Sequence, residues 1–99
     1  MAEDNDLLLE VHRFSNEAFT MAKDFVTGKD AESLKEQVRN LQPRVPEFAA
    51  RAKTADEALR PDLNQALSNA RLDLDYVLAD GNLPSSIRLH HFLSDQEKS

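Results

Sequence analysis

The sequence predicts an all-α fold, a small antiparallel bundle of four to five helices that forms a single domain over residues 1–99. Three observations lead to this prediction. Hydrophobic residues recur at alternating spacings of four and three, the period of helices packed along one face. Only two glycines and four prolines interrupt the 99 residues. Hydrophobic residues make up 40% of the chain, which is enough for one modest core.

The first predicted helix, residues 7–26, is the element around which the others are expected to pack. It has two adjoining apolar strips, so it can contact two neighbouring helices at once. We expect Asp4 or Asn5 to cap its start. Gly28 is expected to end it in a left-handed conformation. The two strips comprise Leu7, Val11, Phe14, Ala18, Met21 and Phe25, and beside them Leu8, Phe19, Ala22 and Val26.

Two shorter helices are predicted next. Asp30 is expected to cap the second helix, which ends near Gln42 because Pro43 disfavours helical geometry in the residue before it. The segment 42–46 is then the clearest connector, and Pro46 suits the first turn of a third helix. The inward residues of these two helices are predicted to be Ala31, Leu34, Val38, Leu41, Phe48, Ala52, Ala55 and Leu59.

Pro61 leaves two interpretations open. Asp62 and Gln65 match a capping box, so a fourth helix can start there after a break at Arg60–Pro61. Alternatively, one helix continues from Leu59 onward and is kinked at the proline. We favour the break.

The last part of the chain is predicted to hold one long helix and one short one. The long helix is expected to end at Gly81, and Ser85 or Ser86 is expected to cap a short helix through Leu93. Residues 1–5 and 94–99 are expected to fray. The inward residues of the long helix are predicted to be Leu63, Leu67, Ala70, Leu74 and Val77.

Composition excludes several functional classes. A net charge of −6 argues against general nucleic-acid binding, because phosphates require clustered Lys and Arg. No apolar run approaches the roughly 20 residues that cross a bilayer, and the acidic first residues lack the features of a signal peptide. The absence of cysteine excludes disulfides and thiolate sites. We expect a cytoplasmic protein without cofactor, metal, membrane or small-molecule substrate.

The three histidines do not form a strong site. His12 lies at the edge of the apolar flank of the first helix, where an exposed imidazole could accept a phosphoryl group. Histidine-containing phosphotransfer domains are helical bundles of about this size, but the lysine and glycine that follow their histidine are missing after His12. His91 and Asp95 share a helix face, but two ligands make no stable metal site, and His90 points elsewhere. We therefore expect no enzyme.

Four carboxylates near the fourth helix resemble a cluster at first sight. On a helix, Asp75 diverges from Asp73 and Asp80 by more than a right angle, so paired acid–base chemistry is not expected. Together with Asp62, these residues are interpreted as a solvated face.

Apolar residues outside the predicted core are the most informative feature. Leu72 and Tyr76 face away from the core side of the fourth helix, Leu9 lies on the polar side of the first, and Ile87, Leu89, Phe92 and Leu93 crowd the last one. Either residues 85–93 fold back over Leu72 and Tyr76 and close the core, or these apolar residues form a docking or dimer surface, for which we favour Leu72, Tyr76, Leu89, Phe92 and Leu93.

Three functional hypotheses follow. The first is a non-enzymatic protein–protein interaction or regulatory module that acts through this helical apolar face, including as a homodimer. The second is an acidic inhibitor that mimics nucleic acid and occupies a basic site on another protein. The third is a histidine phosphotransfer domain that uses His12, with His91 as the weaker candidate. The phosphate mimics of the second hypothesis would be Glu3, Asp4, Asp6, Asp73, Asp75 and Asp80.

Overall fold

The computed structural model describes residues 2–98, with side chains from residue 5 to residue 97, and shows a small all-helical bundle. Its helices are α1 (Ala2–Val26), α2 (Ala31–Leu41), α3 (Arg44–Ala52), α4 (Arg60–Leu78) and α5 (Ile87–Lys98). No strand occurs in residues 2–98. The predicted all-α bundle is therefore confirmed. None of these helices is both long enough and apolar enough to cross a membrane.

Helices α1 and α4 form the centre of the bundle and run parallel to each other. Near the beginning of both helices, His12 Nε2 lies 3.4 Å from Asp62 Oδ2. Near their ends, the rings of Phe25 and Tyr76 pack edge to face with centroids 6.1 Å apart. Because both helices run in the same direction, the chain between them must run back along the bundle to reach the start of α4.

Helix α2 begins this return and runs antiparallel to α4. Lys35 Nζ pairs with Asp80 Oδ1 at 2.6 Å. About two turns later along the chain, Gln42 Nε2 donates to Asp75 Oδ1 at 3.0 Å. Because the α2 partners advance along the chain while the α4 partners recede, the two helices are antiparallel.

Helix α3 continues in the same direction as α2. Its last turn reaches the first part of α1, where Arg51 Nη1 contacts Glu10 Oε2 at 3.0 Å. The predicted connector at residues 42–46 is therefore only a short break between two helices of one pass, and α3 already begins at Arg44. Pro46 lies in the first turn of α3, as predicted.

The chain reverses between α3 and α4, where the sequence had predicted continued helix. Helix α3 ends at Ala52 rather than at Leu59. Thr54 Oγ1 donates to the Arg51 carbonyl at 3.0 Å, and Asp56 Oδ1 accepts from the Ala58 amide at 3.0 Å. Such local side-chain bonds compete with the helical ladder and stabilise turns instead.

The favoured interpretation of two separate helices is confirmed, but the break lies at residues 53–59 and not at Arg60–Pro61. The alternative of one helix kinked at the proline is wrong. Pro61 lies in the first turn of α4, where a missing backbone donor costs nothing. Asp62 is inside the helix and does not cap it. The loop 53–59 provides the length that a reversal needs.

The other helix ends for which a cap was predicted follow that prediction, except at the beginning of α1. Gly28 has φ +94°, and the Lys29 amide bonds the Asp24 carbonyl at 3.0 Å, which closes a Schellman motif. Asp30 caps α2 by accepting from the Glu32 amide at 3.2 Å. The predicted cap at Asp4 or Asn5 is wrong, because α1 already begins at Ala2.

The end of α4 uses two left-handed residues. Gly81 has φ +81°, as predicted for a cap, and Asp80 before it has φ +55°. The Gly81 amide bonds the Tyr76 carbonyl at 2.9 Å. Aspartate tolerates this conformation better than most residues.

The core lies between α1 and α4 and under α2 and α3. Most of the predicted inward residues are buried, whereas Ala31, Leu41 and Leu59 remain half-buried. On α1, Ala22 of the second strip is fully buried, while Met21 and Phe25 of the first are half-buried. The predicted residues that are buried in the core are Leu7, Val11, Phe14, Ala18, Leu34, Val38, Phe48, Ala52, Ala55, Leu63, Leu67, Ala70, Leu74 and Val77.

Met1 and Ser99 lie outside the described residues. The described part of the predicted polar tail is helical, since α5 continues past Leu93 to Lys98. Fraying of residues 1–5 and 94–99 stays a prediction.

Candidate interaction surface

Helix α5 begins at a buried serine. Ser86 is fully buried, and its Oγ accepts from the Leu89 amide at 3.2 Å. This geometry is an N-cap, so the prediction that Ser85 or Ser86 caps the last helix is confirmed for Ser86. The cap places the first turn of α5 against α4.

The same hydroxyl belongs to a buried ionic cluster. Ser86 Oγ donates to Asp73 Oδ1 at 2.6 Å. Arg88 donates to Asp73 Oδ2 through Nε at 2.9 Å and Nη2 at 2.6 Å. We call Asp73, Ser86 and Arg88 the Asp73 latch. Asp73 is 0% exposed, so the interpretation of this residue as part of a solvated face is wrong.

Arg88 also connects the latch to α1. Its Nη2 donates to the Ser15 carbonyl at 2.8 Å, and its guanidinium lies over the Phe19 ring, 4.7 Å from the centroid. One side chain of α5 therefore bridges α1 and α4. The last helix is positioned by polar geometry at its first turn as well as by apolar contact.

Burial alters the protonation chemistry of the latch. Desolvation raises the pKa of Asp73 above its ordinary value of 3.8. The hydrogen bond from Ser86, the positive charge of Arg88 and the Arg88 hydrogen bonds lower this pKa and only partly offset the effect of burial. The carboxylate is therefore fully partnered but costly to keep charged.

Three large hydrophobic side chains are exposed at the junction of α4 and α5. Ile87 is 73% exposed, Leu83 47% and Leu72 37%. Leu72 precedes Asp73 in the chain, and Ile87 lies between Ser86 and Arg88, so the latch holds their backbones close together. We call Leu72, Leu83 and Ile87 the junction patch.

The five predicted interaction residues are divided between surface and core. Leu89 is 0% exposed and belongs to the core, so it is not available to a partner in this fold. Tyr76 is half-buried and packs against the Phe25 ring. Phe92 and Leu93 are half-buried against the core, and Leu72 is exposed. Residues 85–93 therefore help close the core, while leaving Leu72 uncovered.

The carboxylates predicted as phosphate mimics are partly engaged within the chain. Asp73 is inaccessible, Asp80 pairs with Lys35, and Asp75 accepts from Gln42. Asp6 is exposed. The side chains of Glu3 and Asp4 lie outside the described part of the chain.

His12 lies at the surface beside a carboxylate. The described contact of its Nε2 is the Asp62 carboxylate at 3.4 Å, and a negative charge there would repel an incoming phosphoryl group. The rings of His90 and His91 are tilted, with centroids 6.2 Å apart. Within the described residues, no three His, Cys, Asp or Glu side chains are grouped to hold a metal ion.

Two larger grooves lie between pairs of helices. A groove of about 490 Å³ lies between α3 and α4 beside the break at Pro43, with Val45, Ala49 and Leu74 in its lining. A second, of about 580 Å³, lies between α1 and α2 and is lined by Met21 and by polar residues such as Arg13 and Gln37. In the first groove, Asp75 is already bonded to Gln42.

Sequence reasoning missed the latch, although a signal for it was present. Ala66, Ala70, Asp73 and Val77 follow one another at spacings of four, three and four, so Asp73 occupies an apolar stripe of α4. A buried carboxylate requires a cationic partner. The segment 81–94 contains Arg88 and no Asp or Glu, which would have pointed to that partner.

Comparison of the chain with protein-family models, with curated proteins and with solved structures gives no match.

Proposed function

We propose that this chain is a non-enzymatic protein-interaction module that binds its partner through the junction patch. The observation that carries the proposal is that three of the four large exposed hydrophobic residues belong to α4, to the start of α5 or to the segment between them. Leu9, Leu72, Leu83 and Ile87 are the large hydrophobic residues exposed in the described chain, and the last three lie at the α4–α5 junction. Grouped apolar residues with a polar rim are typical of partner sites.

The charges around the patch indicate the chemistry of the partner. Residues 81–94 contain no Asp or Glu, in a chain whose net charge is −6. Arg88 of this segment is paired with Asp73 and does not offer its charge to a partner. Arg71 beside Leu72 is 75% exposed, and its Nε lies 3.9 Å from Asp75 Oδ2, a distance typical of a weak pair. A helix with carboxylates beside its apolar anchors complements this local surface.

Peptide binding tests the proposal. Two labelled amphipathic helical peptides share one apolar face and carry either Glu or Lys beside it, and fluorescence anisotropy measures their binding. We expect the Glu peptide to bind more tightly, with an affinity that falls as salt screens the charges. We expect Ile87→Asp to weaken binding at least about tenfold, because a charge would then be buried at the contact.

The matched control is Leu9→Asp, which places the same charge at an exposed leucine on α1, 58% accessible. This variant should bind as the parent chain does. Ile87→Asp should fold normally, since an acidic residue in the first turn of α5 favours the helix. Equal binding by Ile87→Asp and the parent, or no preference for the Glu peptide, would refute the proposal. So would light scattering that showed the parent chain as a dimer and the Ile87→Asp chain as a monomer, because the patch would then be occupied by a second copy.

A further inference from the structure

The face of α1 and α4 that α5 covers is suited to exchange of this helix between molecules. We propose that α5 is a detachable arm, and that the groove it fills binds α5 of a second copy by the same contacts. This inference uses the Asp73 latch and not the junction patch, so it stands or falls separately from the proposed function.

The contacts that attach α5 to the bundle favour its release. Its fully buried apolar residue is Leu89, while Phe92 and Leu93 are only half-buried. At the first turn of α5, Arg88 contacts Asp73 and Ser15. A buried ion pair gains little net free energy, because desolvation offsets much of its attraction. The latch therefore specifies the position of α5 more than it holds the helix in place.

The segment that connects α4 to α5 also favours exchange of α5. Residues 79–86 link the two helices, and a segment of this length spans about 27 Å when it is extended. Two of its residues, Asp80 and Gly81, have positive φ, and Asp80 relaxes when the turn opens. The linker is therefore long enough to carry α5 across to a neighbouring molecule.

The distribution of net charge between α5 and the rest of the chain also favours exchange of α5. Residues 83–99 contain two basic and two acidic side chains, so the whole net charge of −6 belongs to residues 1–82. A neutral arm with Arg88 at its first turn meets no net repulsion from the acidic body of a second copy. The buried Asp73 carboxylate can then pair with Arg88 of its own chain or with Arg88 of the second copy.

A peptide of residues 83–99 tests the exchange. In the parent chain, its own α5 competes for the groove. In the Arg88→Met chain, the groove keeps Asp73 and Ser15 but its own arm lacks the latch cation, so a larger fraction of molecules can accept the peptide. We expect the labelled parent-sequence peptide to bind Arg88→Met at least about tenfold more tightly than the parent chain.

Two controls isolate the latch. A peptide that itself carries Arg88→Met should bind either chain at least about tenfold more weakly than the parent-sequence peptide, because it leaves the buried Asp73 without its cation. The Ile87→Asp chain should take up the parent peptide as the parent chain does, because Ile87 lies outside the latch. Equal affinity of the peptide for the parent and Arg88→Met chains would overturn the inference.

Hydrogen exchange on the unmodified chain gives a test that needs no variant to fold. The amides of Leu89 and His90 bond to Ser86, and they should exchange at least about tenfold faster than those of Leu74 and Val77 in α4, after correction for intrinsic rates. This is the result expected if α5 opens alone. Equal protection of α5 and α4 would show that α5 leaves only when the whole bundle unfolds, and would overturn the inference.

Discussion

Replacing Arg88 with methionine is the sharpest single test of the described packing. The change keeps an apolar side chain of similar length but removes the cation that contacts Asp73 at 2.6 Å. Asp73 is 0% exposed, so its charge would be left with the Ser86 hydroxyl as a partner. We expect a large loss in the free energy of unfolding.

The magnitude follows from the burial of both partners. Breaking a buried ion pair on one side costs about 3–5 kcal/mol. The Arg88 side chain is 23% exposed, and α5 can lift to rehydrate Asp73, so we expect the lower end, about 3 kcal/mol. For a domain of this size, such a loss lowers Tm by about 12–24 °C.

Urea denaturation followed by circular dichroism at neutral pH measures this loss. The matched control is Arg71→Met, which removes a 75% exposed arginine whose distance to Asp75 is 3.9 Å. Its effect should stay within about 0.5 kcal/mol. If Arg88→Met cost no more than Arg71→Met, the latch would contribute nothing and the reasoning from burial would be refuted.

Three further predictions use the same measurement. Because burial raises the pKa of Asp73, the folded chain holds this proton more tightly than the unfolded one, so the residue favours folding at low pH. The stability of the parent relative to Asp73→Asn should therefore fall as pH rises from about 3.5 towards 7, and a difference that grew with pH would contradict this. Leu63→Ala, at a position that is 0% exposed, should cost about 2–5 kcal/mol, whereas Leu72→Ala at the surface should cost less than about 1 kcal/mol; similar losses would refute the assigned burial. Gly81→Ala should cost more than Gly28→Ala: both residues have positive φ, but a Cβ at Gly81 would lie 3.3 Å from Tyr76 Oη, while one at Gly28 meets nothing within 4 Å. If Gly28→Ala cost more than Gly81→Ala, the contact between a Cβ at residue 81 and Tyr76 Oη would not be tight.

Local chemistry explains why much of the fold could be predicted. The apolar stripes of α1 and α4 follow the helical period over many residues, and a periodic stripe must be buried whatever the neighbours are. Gly28 and Asp30 act through bonds to residues within five positions. All the residues that form such a stripe or helix end lie within one segment, so the sequence predicts these features without knowledge of the fold.

Direction along the bundle could not be predicted in the same way. The break at Pro43 and the loop 53–59 both interrupt helices, but only the second reverses the chain. The difference depends on which faces of α2 and α3 meet α1 and α4, through pairs such as Arg51 with Glu10. These pairs lie far apart in sequence, and no local signal connects them.

The candidate interaction surface was likewise predicted in part from the sequence and decided in part by the tertiary structure. By itself, the sequence determined the helical class, the helix-ending residues at Gly28 and Gly81, and a surplus of apolar residues around α4 and α5. Only the tertiary structure decided that Leu89 is core, that Leu72 and Ile87 are surface, and that Asp73 is buried beside Arg88. The physical reason is that burial of a polar or apolar side chain near a helix end depends on what another helix places over it.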